Sequence, residues 1–99
     1  MKKINYEILD RVPNKEKEKK YYYFYKIVND SNGKYYYGVH STHNLSDGYC
    51  GSSKRLKKDI KNLGIEHFKK YILKFFDTPD SMYQYENDVV TKDVVLEGN

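Results

Sequence analysis

Cysteine occurs once in the 99 residues, at Cys50, which excludes an intramolecular disulfide and any zinc site built from cysteines. Such sparing use fits a reducing compartment. No run of about 18 apolar residues exists, so no segment reads as a membrane-spanning helix. The opening MKKINYEILDRVPNKEKEKK also lacks the apolar stretch of a signal peptide, and a soluble protein working in the cytoplasm without membrane contact is expected. Leu, Ile, Val and Phe are scarce: hydrophobic residues make up 38% against 32% charged. Spread evenly, that balance would favour disorder, but the apolar residues concentrate in periodic segments after residue 20. One small domain with one lean core is the expectation, and no internal repeat is visible.

Tyrosine is what the chain has in excess, with twelve residues. Much of the core must therefore be built from amphipathic rings. The stretch YYYFYKIVNDSNGKYYYGVHS, residues 21 to 41, holds eight aromatic residues in two runs around Asn32-Gly33, a tight-turn signal. It predicts an antiparallel hairpin whose second strand covers residues 34 to 42. Strand propensity alone accounts for Tyr21, Tyr22, Tyr23, Tyr35 and Tyr37. The net charge of +4 and a pI near 9.0 favour polyanionic partners such as nucleic acid.

Residues 1 to 20 read as an N-terminal appendage, in which Ile4, Tyr6 and Ile8 alternate as a short edge strand and NKEKEKK forms a solvated loop. After the polar, glycine-bearing STHNLSDGYCGSS, either Ser52 or Ser53 can cap a helix over KRLKKDIKNLG. Leu56, Ile60 and Leu63 share one of its faces, and Gly64 supplies the stop. FKKYILKFF, residues 68 to 76, predicts a strand that need not be an edge, burying either Phe68, Ile72 and Phe76 or Tyr71, Leu73 and Phe75. In DTPDSMYQYENDVV, Thr78 caps a second helix, with Pro79 at its first position and Asp80 in its first turn. Met82, Tyr85 and Val89 line its buried face and Glu86 lies at the border. The expected fold class is α+β, a small antiparallel three-stranded sheet flanked by helices in the order β-β-α-β-α.

This succession resembles the GIY-YIG nuclease domain, and most closely its phage-type branch. The resemblance is carried by GVHST at 38 to 42, DGYCGSS at 47 to 53, LKKDIKNLGIEHF at 56 to 68 and ILKFFDT at 72 to 78, in that order and spacing. It covers residues 21 to about 95, with 96 to 99 left as a tail. The first family signature falls on YFY, residues 23 to 25, and the second on YYG, residues 36 to 38. Tyr23, Phe24 and Tyr37 depart from the family pattern, while Tyr25, Tyr36 and Gly38 keep it. A missing Cβ at Gly38 would let the chain approach a neighbour or a phosphate closely.

The resemblance implies a metal-dependent DNA endonuclease of phage or mobile-element type, using one divalent cation, usually magnesium, and no small-molecule cofactor. Glu86 matches the family's metal-binding glutamate, with Asp88 as a rival on another helix face. By position, Arg55 takes the role of the arginine that faces the scissile phosphate. One of Tyr25 and Tyr36 would activate the water while the other holds the phosphate network, and Tyr25 is the first choice for the water. A phenol with a pKa of about 10 needs positive charge nearby to act as a base near neutrality. Residues 36, 38 and 40 share one side of a strand, so His40 is a candidate for that charge, with Lys54 behind it. Lys54, Lys57, Lys58 and Lys61 form the expected nucleic-acid-binding surface. Two other readings use the same fold: a nuclease-derived module that binds nucleic acid without cutting, and a small inhibitor whose tyrosines form a protein interface.

Overall fold

The computed structural model of the chain describes residues 3–16, 18–51 and 54–92. Ser52, Ser53 and the segment 93–99, including the expected tail, lie outside the described residues. Four strands, β1 (Asn5–Ile8), β2 (Tyr21–Asn29), β3 (Tyr35–Thr42) and β4 (Phe68–Phe76), form one sheet in the order β1-β4-β2-β3. The helices are α1 (Lys54–Leu63) and α2 (Pro79–Lys92), and a single 3₁₀ turn at Ile65–His67 leads into β4. The α+β class and the element order from residue 21 agree with the sequence reading. The sheet, however, has four strands rather than three and is mixed rather than antiparallel, because β1 joins it parallel to β4. Burial explains the addition: Ile4 is buried in the core, and Tyr6 and Ile8 pack against it from one side of β1.

The hairpin of β2 and β3 sets Tyr25 opposite Gly38 and Ile27 opposite Tyr36. Its connection is the five-residue loop 30–34, with Gly33 at φ 73° and the Gly33 N–H donating to the Asn29 carbonyl at 2.8 Å. The Asn29 carboxamide accepts from both the backbone N–H and the hydroxyl of Ser31, which ties the loop down. On β4 a bulge between the partners of Phe24 and Tyr25 moves the side-chain alternation by one residue. Phe68, Lys70 and Ile72 therefore face the core before the bulge, and Phe75 faces it afterwards. Neither of the two alternations expected for this strand holds along its full length.

One sheet face is covered by Leu56 and Ile60 of α1 and by the loop around Tyr49, over a core of Tyr23, Tyr25, Ile27, Tyr36 and Ile72. Leu63, expected to bury with Leu56, is 42% exposed. Gly64 ends α1 at φ 97°, its N–H donating to the Ile60 carbonyl. On the opposite face α2 is seated by Met82, which is fully buried, and by Tyr85, which meets Phe24 and Phe76 with ring centroids 5.2 Å away in each case. Thr78 caps α2 as expected, accepting from the Ser81 N–H at 3.2 Å. Replacing Met82 with Ala should lower stability by about 2–5 kcal/mol, since it removes a fully buried side chain that seats α2 on the sheet. Urea unfolding followed by circular dichroism measures that loss.

Candidate active site

Strand β3 is one edge of the sheet, and a cleft of about 420 Å³ runs beside it. Its walls include Tyr25 from β2, Tyr36 and Gly38 from β3, Tyr49 from the loop before α1, and Tyr83 and Glu86 from α2. Tyr37 and Val39 also reach it, so residues from both faces of β3 share one cavity. The cleft wraps around the strand edge, where groups carried by α2 meet groups from the opposite sheet face.

Glycine makes that geometry possible. The ring of Tyr25 lies against Gly38, where a Cβ would stand 2.6 Å from Tyr25 Cζ. Gly51 flanks the same phenol: a Cβ there would lie 2.7 Å from its oxygen. Tyr25 is 4% exposed, and burial, followed by the neighbouring Tyr49, raises its pKa far above the usual phenol range. Its hydroxyl is thus held neutral. Tyr36 is also buried, and its hydroxyl donates to Asp59 Oδ2 on α1 at 2.8 Å.

Glu86 stands one helical turn beyond Tyr83 on α2 and lines the cleft, while Asp88 is exposed and does not. Burial raises the Glu86 carboxyl above its ordinary pKa. A half-buried carboxylate of this kind gains most from a cation beside it. Among the described residues no group of three or more His, Cys, Asp and Glu could enclose a metal ion. One carboxylate at an open cleft nevertheless suits magnesium, which retains much of its water and takes one or two protein carboxylates together with substrate phosphate oxygens.

His40 shares a sheet face with Tyr36, as the alternation required, but it stands further along β3. Its ring stacks on Tyr49 at a centroid distance of 3.5 Å, and its Nε2 lies 2.8 Å from Asp47 Oδ2. Burial works to raise the Asp47 carboxyl, but hydrogen bonds from His40, the Tyr49 backbone and Thr42 outweigh it and hold the carboxyl below its usual range. His40 therefore buttresses Tyr49, whose ring stands edge-on to Tyr25 at 6.0 Å. Arg55 lies outside the cleft, in an adjoining open groove lined by Lys34, Lys54, Arg55, Lys58 and Asp59. Lys57 and Lys61 are exposed on α1 and do not line this groove.

Four participants were missed by sequence reasoning. Tyr49 and Tyr83 belong to the cleft wall, and Asp59 links Tyr36 to the basic groove. Lys70 is 1% exposed beneath the site and donates to the Tyr23 hydroxyl at 2.9 Å and the Tyr49 carbonyl at 3.0 Å. Burial lowers its pKa. Signals existed for two of them: Tyr49 is an aromatic residue between glycines, and Asp59 is a lone acid in a basic helix.

Among the described residues no helix is long and apolar enough to cross a membrane. Residues 46–99 match a family model described as "Putative endonuclease segE, GIY-YIG domain". That match takes in α1, β4 and α2, and leaves the tyrosine hairpin outside it. The chain is similar to three proteins of Enterobacteria phage T4. It is 52% identical over 73 residues to "Putative endonuclease segB", covering 74% of this chain and 33% of that protein. It is 47% identical over 76 residues to "Putative endonuclease segC", covering 77% and 38%. It is 46% identical over 81 residues to "Endonuclease segA", covering 82% and 37%. The chain thus spans about a third of the length of these relatives. No solved structure matches.

Two substitutions test this geometry without reference to activity. Gly38→Ala should cost about 1–3 kcal/mol in urea unfolding, because the added methyl overlaps the Tyr25 ring. Glu86→Gln should raise the melting temperature at neutral pH. The folded-state pKa of Glu86 is raised, so its ionised form costs stability above that pKa and the amide removes the cost. The gain should shrink as pH falls and vanish below the ordinary carboxylate pKa, where the residue is protonated in both states. Melting curves of both proteins across that range give the check.

Proposed function

The chain belongs to the GIY-YIG endonuclease family, in the branch of the phage segE domain, and on that premise we propose that it hydrolyses phosphodiester bonds in DNA with one divalent cation, magnesium, at Glu86. The observation that carries this reading is the convergence of Tyr25, Tyr36 and Glu86, from three separate elements, on one cleft. The adjoining groove, with Lys34, Lys54, Arg55 and Lys58, offers the charge to hold a phosphate backbone beside it. Phage T4 relatives support a site of action in the cytoplasm of an infected bacterial cell.

Glu86 would hold the ion, which when bound would offset the charge developing on the leaving oxygen. Tyr25, a neutral phenol between two glycines, suits donation to a phosphate oxygen better than proton abstraction. Acceptance of the water's proton then falls to Tyr36, reversing the order of preference taken from the sequence. Arg55 and Lys54 lie beside the cleft rather than in it, which suits steering of the flanking backbone. His40 supports Tyr49 and, through it, the wall against which Tyr25 rests.

Supercoiled plasmid incubated with the protein and magnesium should be nicked or linearised, and a chelator should stop the reaction. Glu86→Ala and Tyr36→Phe should each reduce the rate by at least about 10²-fold. Plasmid left intact by the unaltered protein would remove the enzyme reading. If that protein still bound DNA with steep salt dependence, the non-cutting module would take its place.

A further inference from the structure

We infer that Asp59 is a positioning residue for Tyr36 and the terminal acceptor of its proton, so that the two act as one relay on the attacking water. This rests on the phosphodiesterase reading above and adds a residue outside the family register described for the chain. The carrying observation is the 2.8 Å hydrogen bond from the Tyr36 hydroxyl to Asp59 Oδ2, which joins the cleft to the basic groove.

A hydroxyl has a single proton. With that proton committed to Asp59, the Tyr36 oxygen can act toward the cleft only as an acceptor, the polarity needed to receive a proton from water. As the water oxygen bonds to phosphorus, its O–H bond breaks and the proton passes to Tyr36 Oη. The original phenol O–H bond breaks in the same event and delivers its proton to Asp59 Oδ2. Tyr36 ends neutral, Asp59 ends as a carboxylic acid, and the leaving oxygen departs with the electrons of the broken P–O bond. No free tyrosinate has to form, which removes the difficulty of a phenol with a pKa of about 10 acting near neutrality. Lys34, Lys54, Arg55 and Lys58 line the groove beside Asp59.

The test uses the full chain with magnesium and supercoiled plasmid, comparing the unaltered protein with Asp59→Asn, Asp59→Glu, Tyr36→Phe and the double variant of Asp59→Asn with Tyr36→Phe. Asparagine keeps an oxygen to accept from the phenol but cannot take its proton. Asp59→Asn should lower kcat by about 10²-fold while KM stays level or falls, because the basic groove has lost its acid. Asp59→Glu, which keeps a proton acceptor, should be faster than Asp59→Asn, and melting temperatures should be close throughout. The double variant should be no slower than Tyr36→Phe alone, since both changes break the same relay. Losses that multiply in the double variant, equal losses in Asp59→Asn and Asp59→Glu, or a rise in KM without loss of kcat would each overturn the role of Asp59 while leaving the enzyme reading intact. An unaltered protein that does not cut overturns both.

Discussion

The site depends on one cross-strand pair. Tyr25 and Gly38 stand opposite each other in the β2–β3 register, and the ring of the first occupies the space that any Cβ on the second would need. A shift of β3 by one residue would turn Tyr36 and His40 to the other sheet face and set a side chain against the Tyr25 ring. The loop between β2 and β3 guards against such a slip, since Asn29 ties down Ser31 and Gly33 adopts a backbone conformation that other residues resist. A second glycine, Gly51, extends the constraint to the loop ahead of α1, which can approach the same phenol only without a side chain. The conformation of a surface loop is thereby tied to the position of a buried ring.

Lys70 shows how a lean core is completed. The β4 alternation obliges it to point inward between Phe68 and Ile72, where an ammonium would ordinarily be costly. Aromatic and backbone oxygens meet it there: the Tyr23 hydroxyl and the Tyr49 carbonyl accept from it, and the rings of Tyr6 and Tyr23 lie 5.8 and 5.2 Å from its nitrogen. Its long stem fills volume that another aliphatic residue would fill in a richer core. The same contacts hold the Tyr49 backbone, so this buried cation anchors the cleft wall from beneath. Tyr23, which strand propensity alone would explain, thus also solvates a charge inside the fold.

The elements from residue 21 onward were legible because their signals are local: β-rich aromatic runs, the Thr78-Pro79-Asp80 helix start and the Gly64 stop each act over a few residues. The parallel pairing of β1 with β4 was not, because a contact across more than sixty positions leaves only a weak mark in a four-residue strand. The bulge on β4 was hidden for a related reason: Leu73 is a good strand residue, and only the pairing of its neighbours Ile72 and Lys74 with β2 reveals that the alternation has moved. At the site, Tyr25, Tyr36, Gly38 and Glu86 are singled out by the resemblance to the GIY-YIG family, since strand propensity alone would leave the two tyrosines as ordinary strand residues. His40 could be placed on the correct face, but its partners Asp47 and Tyr49 come from a loop whose path periodicity does not describe. Asp59 is recognisable as unusual in a run of lysines, yet its partner is twenty-three residues away.

The location of the cleft follows from the sheet order. An interior strand is flanked on both sides by neighbours, whereas an edge strand leaves a passage from one sheet face to the other. Here β3 holds that edge, and its successive residues Tyr36, Tyr37, Gly38 and Val39 all reach the cavity although alternate ones point to opposite faces. This permits Glu86 of α2 and Tyr36, whose hydroxyl is held by Asp59 of α1, to share a space while each helix packs on its own side of the sheet. β1 and β4 can then stabilise the far side without crowding the cleft. Adding the N-terminal strand beside β4 extends the sheet away from β3, so the fold gains a fourth strand and keeps its chemically equipped edge open.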